Sequence, residues 1–183
     1  MPEYDIAFGE RLAETARMVA ADGLTQLDAQ RTVLYLSLLS VEITLKAMLE
    51  RAGFPITGIR ARSHRLAELL SDLGRCEVEV EVVPGVKHYV AASRLRACTL
   101  KDGAAESTVG DVIEAESRGA STYPNQVRYG DVLCHYPAGV VVQMAERTSA
   151  FAREHWDGIR IKVAPTTVIP VDHQQPDAFP RSE

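Results

Sequence analysis

The chain has 183 residues, 46% hydrophobic and 25% charged, ordinary proportions for one globular domain with at most a small appendage. Its net charge of −5 argues against strong non-specific binding to nucleic acid, which depends on positive charge, and leaves room only for a local basic patch. Cys76, Cys98 and Cys134 are widely spaced with no C-x-x-C, so no disulfide framework, metal site or other cofactor is expected; no basic region followed by an apolar run opens the chain, which makes the cytoplasm the expected location.

Ile6, Ala7, Leu12, Ala13, Ala16, Val19 and Ala20 recur near the helical period and predict a helix from Tyr4 to Ala21, ended by Asp22 and Gly23. A longer helix is predicted from Asp28 to Ala52, stopped by Gly53 and Pro55. From Val33 to Leu49 it is nearly long enough to cross a bilayer. Glu42 and Lys46 lie inside that run, and each would cost about 2.5–3.5 kcal/mol at the bilayer centre, so a membrane span is not expected. A helix apolar nearly all round is instead the buried middle of a bundle. Glu42 stands one turn before Lys46, the favourable order for an ion pair. One reading is a pair at the edge of the core, worth about 1 kcal/mol or less. The other is a polar floor beneath a dimer cleft. Ser37, Ser40 and Thr44 form a small stripe that would let another helix approach closely, which predicts a two-fold homodimer.

Ser63 reads as the N-cap of a short amphipathic helix from Arg65 to Leu73, closed by Gly74. The period then changes. From Cys76 to Val83 valine alternates with glutamate, predicting a half-buried strand with its valines inward. Its partner should be Val86 to Val90, across the Pro84-Gly85 turn, or Ile159 to Val163. His88 to Leu100 also fits a helix. A further helix is predicted from Thr108 to Arg118 and a loop from Gly119 to Asp131. Pro137 then opens a last helix that runs to about Trp156. Past Pro165 the tail carries Pro170, Pro176 and Pro180 and is expected to be extended. The pattern implies a mainly all-α fold, a bundle of about five helices with a small β element. The bundle covers residues 1–158 with a strand-containing insertion near 76–90; residues 159–183 form a strand-like segment and the Pro-containing tail.

Three stretches taken together carry a resemblance: the long helix with Glu42 and Lys46, then "SHRLAELLSDL", then "YPNQVRYGDVLCHYP" before the last helix. From Tyr4 to Trp156 the chain resembles the HEPN superfamily, helical bundles, commonly dimeric, found in toxin–antitoxin pairs, in antiviral systems and beside nucleotidyltransferases. The resemblance implies a bacterial defence or toxin–antitoxin protein that acts on RNA. Many members are metal-independent ribonucleases whose motif is an Arg a short interval before a His, near the start of the final helix. Arg128, then "YGDVLC", then His135 match it. The chemistry is apt: a His supplies a proton acceptor and donor near neutral pH, and an Arg fork can hold charge that develops on phosphorus. Pro137 begins a helix just after His135, and helix N-termini favour phosphate.

This chain departs from the active pattern at Tyr129, where active members carry a polar residue and inactive ones keep an Arg-Tyr pair for packing. The alternative implied is therefore a non-catalytic module that binds nucleotide or a partner such as an antitoxin or a nucleotidyltransferase. Asp131 could orient either member of the Arg128–His135 pair. Tyr123 and Tyr129 could stack on a base. His64 is expected to tie the short helix to the long one by a buried hydrogen bond or cap, with ligand contact as the alternative. Arg60 and Arg62, in a cluster with Arg51, Arg65 and Arg75, read as a solvated face or as a basic patch for a ligand. No P-loop, dinucleotide-binding or nucleophile-elbow motif occurs, so kinase, Rossmann and α/β-hydrolase readings find no support.

Overall fold

A computed structural model describes residues 2–102, 105–118, 123, 124, 127 and 136–162. The fold is mainly helical with a small antiparallel sheet. Its axis is α2 (Leu27–Ala52), whose Val33, Leu34, Leu38, Val41, Leu45, Met48 and Leu49 are all buried. α2 is long and apolar enough to cross a membrane, but 72% of its apolar window is covered by the rest of the chain. It is a core helix, as its burial on every side requires. Gly53 ends it at φ 96°, a left-handed turn that favours glycine, and its N–H donates to the Glu50 and Leu49 carbonyls.

Around α2 pack α1 (Ile6–Ala21), α4 (Leu66–Leu73) and α6 (Ala138–His155), with the short α3 (Ile56–Ala61) at one end. Asp5 caps α1 by accepting the Ala7 N–H at 2.9 Å. α5 (Val109–Arg118) packs on α4. A reciprocal cap opens α5: Asp111 accepts the Thr108 N–H at 2.9 Å, and Thr108 Oγ1 accepts the Asp111 N–H at 3.1 Å.

The alternating segment is a strand, β1 (Cys76–Val83), and both expected partners pair with it. β2 (Val86–Ala91) joins across the Pro84-Gly85 turn, and β5 (Arg160–Ile161) lies on the other side, giving the order β2-β1-β5. The valines are inward only in the first half of β1. Val78 is buried, Val80 is half-buried and Val82 is 67% exposed, because the hairpin runs past the end of the helical layer. After β2 the chain makes a 3-10 helix (Ala92–Ala97), which corrects the helical alternative for the stretch from His88. A second hairpin, β3 (Thr99–Asp102) with β4 (Ala105–Thr108), follows and had no counterpart in the sequence reading.

Two further expectations are corrected. Ser63 is not an N-cap: it sits at φ 49° inside the turn before α4, and Arg65 holds the cap position without a side-chain bond. The stripe of Ser37, Ser40 and Thr44 does not face a second subunit. It is fully buried within the chain, and α1 covers Ser40 and Thr44. Gly9 is the reason. Ser40 Oγ donates to the Gly9 carbonyl at 2.7 Å, and a Cβ on Gly9 would stand 2.5 Å from Thr44 Oγ1. The small stripe thus serves helix contact, but contact inside one chain.

A double-mutant cycle checks this account. Gly9→Ala should destabilise the wild-type chain, because the added methyl meets a hydroxyl that has nowhere to go. In a Thr44→Ala background the same change should stabilise by up to about 1 kcal/mol, since alanine is the better helix former. Urea denaturation of the four proteins measures both effects; the same sign in both backgrounds would refute the close contact.

Candidate functional site

The polar groups that α2 carries into the core meet the turn between α3 and α4. Glu42 and Lys46 project from one face of α2, one turn apart, and Lys46 Nζ donates to Glu42 Oε1 at 2.7 Å. The side chains are 5% and 9% exposed, so this is a buried pair and not the core-edge pair expected from spacing alone. The second carboxylate oxygen is also taken: His64 Nδ1 lies 2.9 Å from Glu42 Oε2. The left-handed turn at Ser63 aims His64 back at α2. His64 ties the two elements as expected, but its side chain is 49% exposed and not buried. The bond to Glu42 assigns a proton to Nδ1, and Nε2 makes no hydrogen bond among the described residues.

Aromatic rings close the unit. Tyr123, 6% exposed, stands edge-on to the His64 ring with centroids 5.8 Å apart, and the Tyr35 ring packs on Tyr123 with centroids 5.9 Å apart. Lys46 Nζ lies 5.4 Å from the centre of the Tyr4 ring. Tyr4 is held there by its backbone, whose N–H donates to Glu50 Oε2 at 2.9 Å, while Glu50 Oε1 takes the Glu3 N–H at 2.8 Å. Burial, and then the hydrogen bond to Glu3, push the Tyr4 phenol up to about 12.

The arginines around the turn are engaged within the chain. Arg60 grips Glu3 with both arms of its fork, at 2.9 and 2.5 Å. Arg62 does the same to Asp72, at 2.6 and 3.2 Å, and also reaches Glu68 at 3.0 Å. Arg128, Tyr129, Asp131 and His135 lie outside the described residues. Their covalent neighbours are placed: Val127 is buried, Tyr136 packs against the core, and Pro137 caps α6. The placed residues on either side of the Arg128–His135 pair are thus Val127, in the core, and Tyr136, beside the start of α6.

Other candidates carry less. A pocket of about 460 Å³ between α1 and α6 is lined by Glu10, Arg11, Glu14, Arg17, Glu146 and Arg153. It shares no residue with the Glu42–His64 unit, and its charges pair across it, Arg153 with Glu10 at 2.9 Å and Arg17 with Glu146 at 3.7 Å. Burial pushes the Cys76 thiol up to about 11, which suits a packed residue and not a nucleophile. Among the described residues no cluster of His, Cys, Asp or Glu is placed to hold a metal ion. Tyr4 and Tyr35 were not singled out from the sequence. Tyr4 precedes α1 and Tyr35 is one apolar residue among many, so neither carried a signal. No family model, no curated protein and no solved structure matches this chain.

The arrangement offers a half-exposed imidazole held in one orientation by a carboxylate on a buried polar base. Two measurements check it. Lys46→Met should cost about 3–5 kcal/mol, because Glu42 keeps a buried charge it can no longer balance, whereas Glu42→Gln with Lys46→Met should cost much less. A loss below about 1 kcal/mol for Lys46→Met would mean an exposed pair. Tyr4 predicts alkaline sensitivity. Its folded pKa is raised above the ordinary value near 10, so its contribution is complete below about pH 10 and is lost as pH climbs through about 12. Tyr4→Phe should flatten the stability curve over that window, and ultraviolet titration should lose one late-ionising phenol.

Proposed function

We propose that this chain is a HEPN-like, dimeric, cytoplasmic protein of a bacterial defence or toxin–antitoxin type that acts on RNA as a metal-independent endoribonuclease. Arg128 and His135 are its catalytic pair. One observation carries the reading. The segment bearing both residues is bracketed by placed residues, the buried Val127 on one side and Tyr136 and the Pro137 cap of α6 on the other, and Tyr123, shortly before it in the chain, stands edge-on to the Glu42-held His64. Packed residues on both sides of the pair give the support that a preorganised site needs. In the reaction, His135 takes the proton from a ribose 2′-hydroxyl as its oxygen attacks the adjacent phosphorus. The 5′-oxygen leaves with a proton returned by the same residue or its copy across the dimer. Arg128 holds the charge that builds on the phosphate oxygens.

A second reading is a non-catalytic HEPN module that binds nucleotide or a partner such as an antitoxin or a nucleotidyltransferase. It is favoured by the full pairing of Arg60 and Arg62 with acids of the same chain, which leaves little free positive charge to grip RNA around His64.

Cleavage of single-stranded RNA in the presence of EDTA decides between them. The wild type should cleave. His135→Ala should abolish cleavage with an unchanged melting temperature. Arg128→Lys should lose most activity, since a point charge cannot reproduce the fork. Intact RNA with the wild type, together with a lowered melting temperature for Arg128→Ala, would remove the nuclease and leave the binding module.

A further inference from the structure

The edge of the sheet carries an unmet demand. β2 is an outer strand in the order β2-β1-β5. Glu79 N–H donates to the Gly158 carbonyl at 3.1 Å and Lys162 N–H to the Arg75 carbonyl at 2.9 Å, so odd-numbered residues of β1 turn their backbone toward β5. Even-numbered ones turn toward β2, where Val78 faces Val90 and Val80 faces His88. By the alternation of an antiparallel ladder, Lys87 and Tyr89 point their N–H and C=O groups away from β1, into the open edge. None of these groups has a hydrogen bond among the described residues. Val86 and Tyr89 are exposed at this edge, and Val82 and Val83 beside it. Open edges of this kind accept another strand unless charge or a proline blocks them. Lys87 does not block this one: its Nζ is drawn back onto Glu79 of β1 at 2.6 Å.

We propose that β2 is a self-pairing edge, and that a second copy of this chain docks on it antiparallel about a two-fold axis through His88. The strand is self-complementary in that register. Lys87 then faces the partner's Tyr89 and Tyr89 faces the partner's Lys87, which joins all the free backbone groups of both residues. On the other face Val86 meets the partner's Val90 at each end, and His88 meets its own copy at the axis. Val86 and Val90 gain apolar neighbours, and lysine is not set against lysine. The two sheets become one of six strands, twice the three of each chain. This surface replaces the Ser37–Ser40–Thr44 stripe as the basis of a dimer. It depends on neither Arg128 nor His135, so a failure of the ribonuclease reading leaves it standing; a dimer that does not cross-link at His88 refutes this surface alone, whereas a monomeric wild type also removes the dimer from the ribonuclease reading.

Cysteine cross-linking of the full chain tests the register. In a Cys98→Ser, Cys134→Ser background, His88→Cys should form a disulfide-linked dimer on mild oxidation, because facing residues at a non-hydrogen-bonded site have the spacing a disulfide needs. Val86→Cys and Val90→Cys should each fail alone and should cross-link when mixed. Light scattering of the unmodified chain should give twice the 20.0 kDa of one copy. Lys87→Pro removes an edge N–H that has no bond among the described residues, so it should return the chain to the single mass with an unchanged helical signal. A monomeric wild type, a dimer indifferent to Lys87→Pro, or equal cross-linking of the three single-cysteine variants would overturn the proposal.

Discussion

One carboxylate organises this fold. Glu42 is carried into the core by the most buried helix, and taking an ion out of water costs several kcal/mol even after the surroundings relax. Only a partner on each oxygen makes the position tolerable. Lys46 fills one from the same helix, and its place is set by the helical period alone. His64 fills the other from a different element, and this demand reaches furthest. It requires the chain to return beside α2 after α3, to reverse at Ser63 through a left-handed turn, and to start α4 at a fixed angle. The amphipathic face of α4 supplies Leu66, Leu69, Leu70 and Leu73 to the core once that angle is set. Such a unit contributes more to choosing one arrangement than to total stability.

The docking of α1 follows a complementary rule, close approach in place of charge. With no side chain at Gly9, the backbone of α1 comes near enough for Ser40 to donate to its carbonyl. That contact uses up the small stripe of α2. Together with α4 and α6 it leaves α2 no broad free face, so any two-fold contact must be sought elsewhere. Among the described residues, the outer edge of β2 is where backbone groups have no partner.

Helical periods, the strand alternation and both partners of β1 were legible in the sequence because each is a local signal of adjacent residues. The failures have a common cause: they turn on what lies beyond the segment. Val78 and Val82 are the same residue type on the same face of β1, and only the length of the helical layer decides that one is buried and the other not. Spacing placed Glu42 and Lys46 together but could not say that Tyr4 and the α3–α4 turn would cover them. Ser63 has the chemistry of a cap, yet the need to aim His64 at Glu42 took that position for a turn. The β3–β4 hairpin is built from short polar strands around a turn, with too few residues for a period to emerge. For the candidate site, the sequence named His64 and Tyr123 separately, and their edge-on contact is tertiary information.

The pairing within the central unit bears on what His64 does. Lys46 holds one oxygen of Glu42 at 2.7 Å, and donation from His64 Nδ1 completes the other. His64 is thus fixed in direction by a partner whose other oxygen is held by Lys46. That is the condition of a positioning residue, whose value lies in a rigid ring face. That ring meets Tyr123 edge-on, with centroids 5.8 Å apart. Orientation passes from the Glu42 carboxylate to an imidazole and from the imidazole to a phenol ring, a relay built entirely of side chains that the bundle core holds in place.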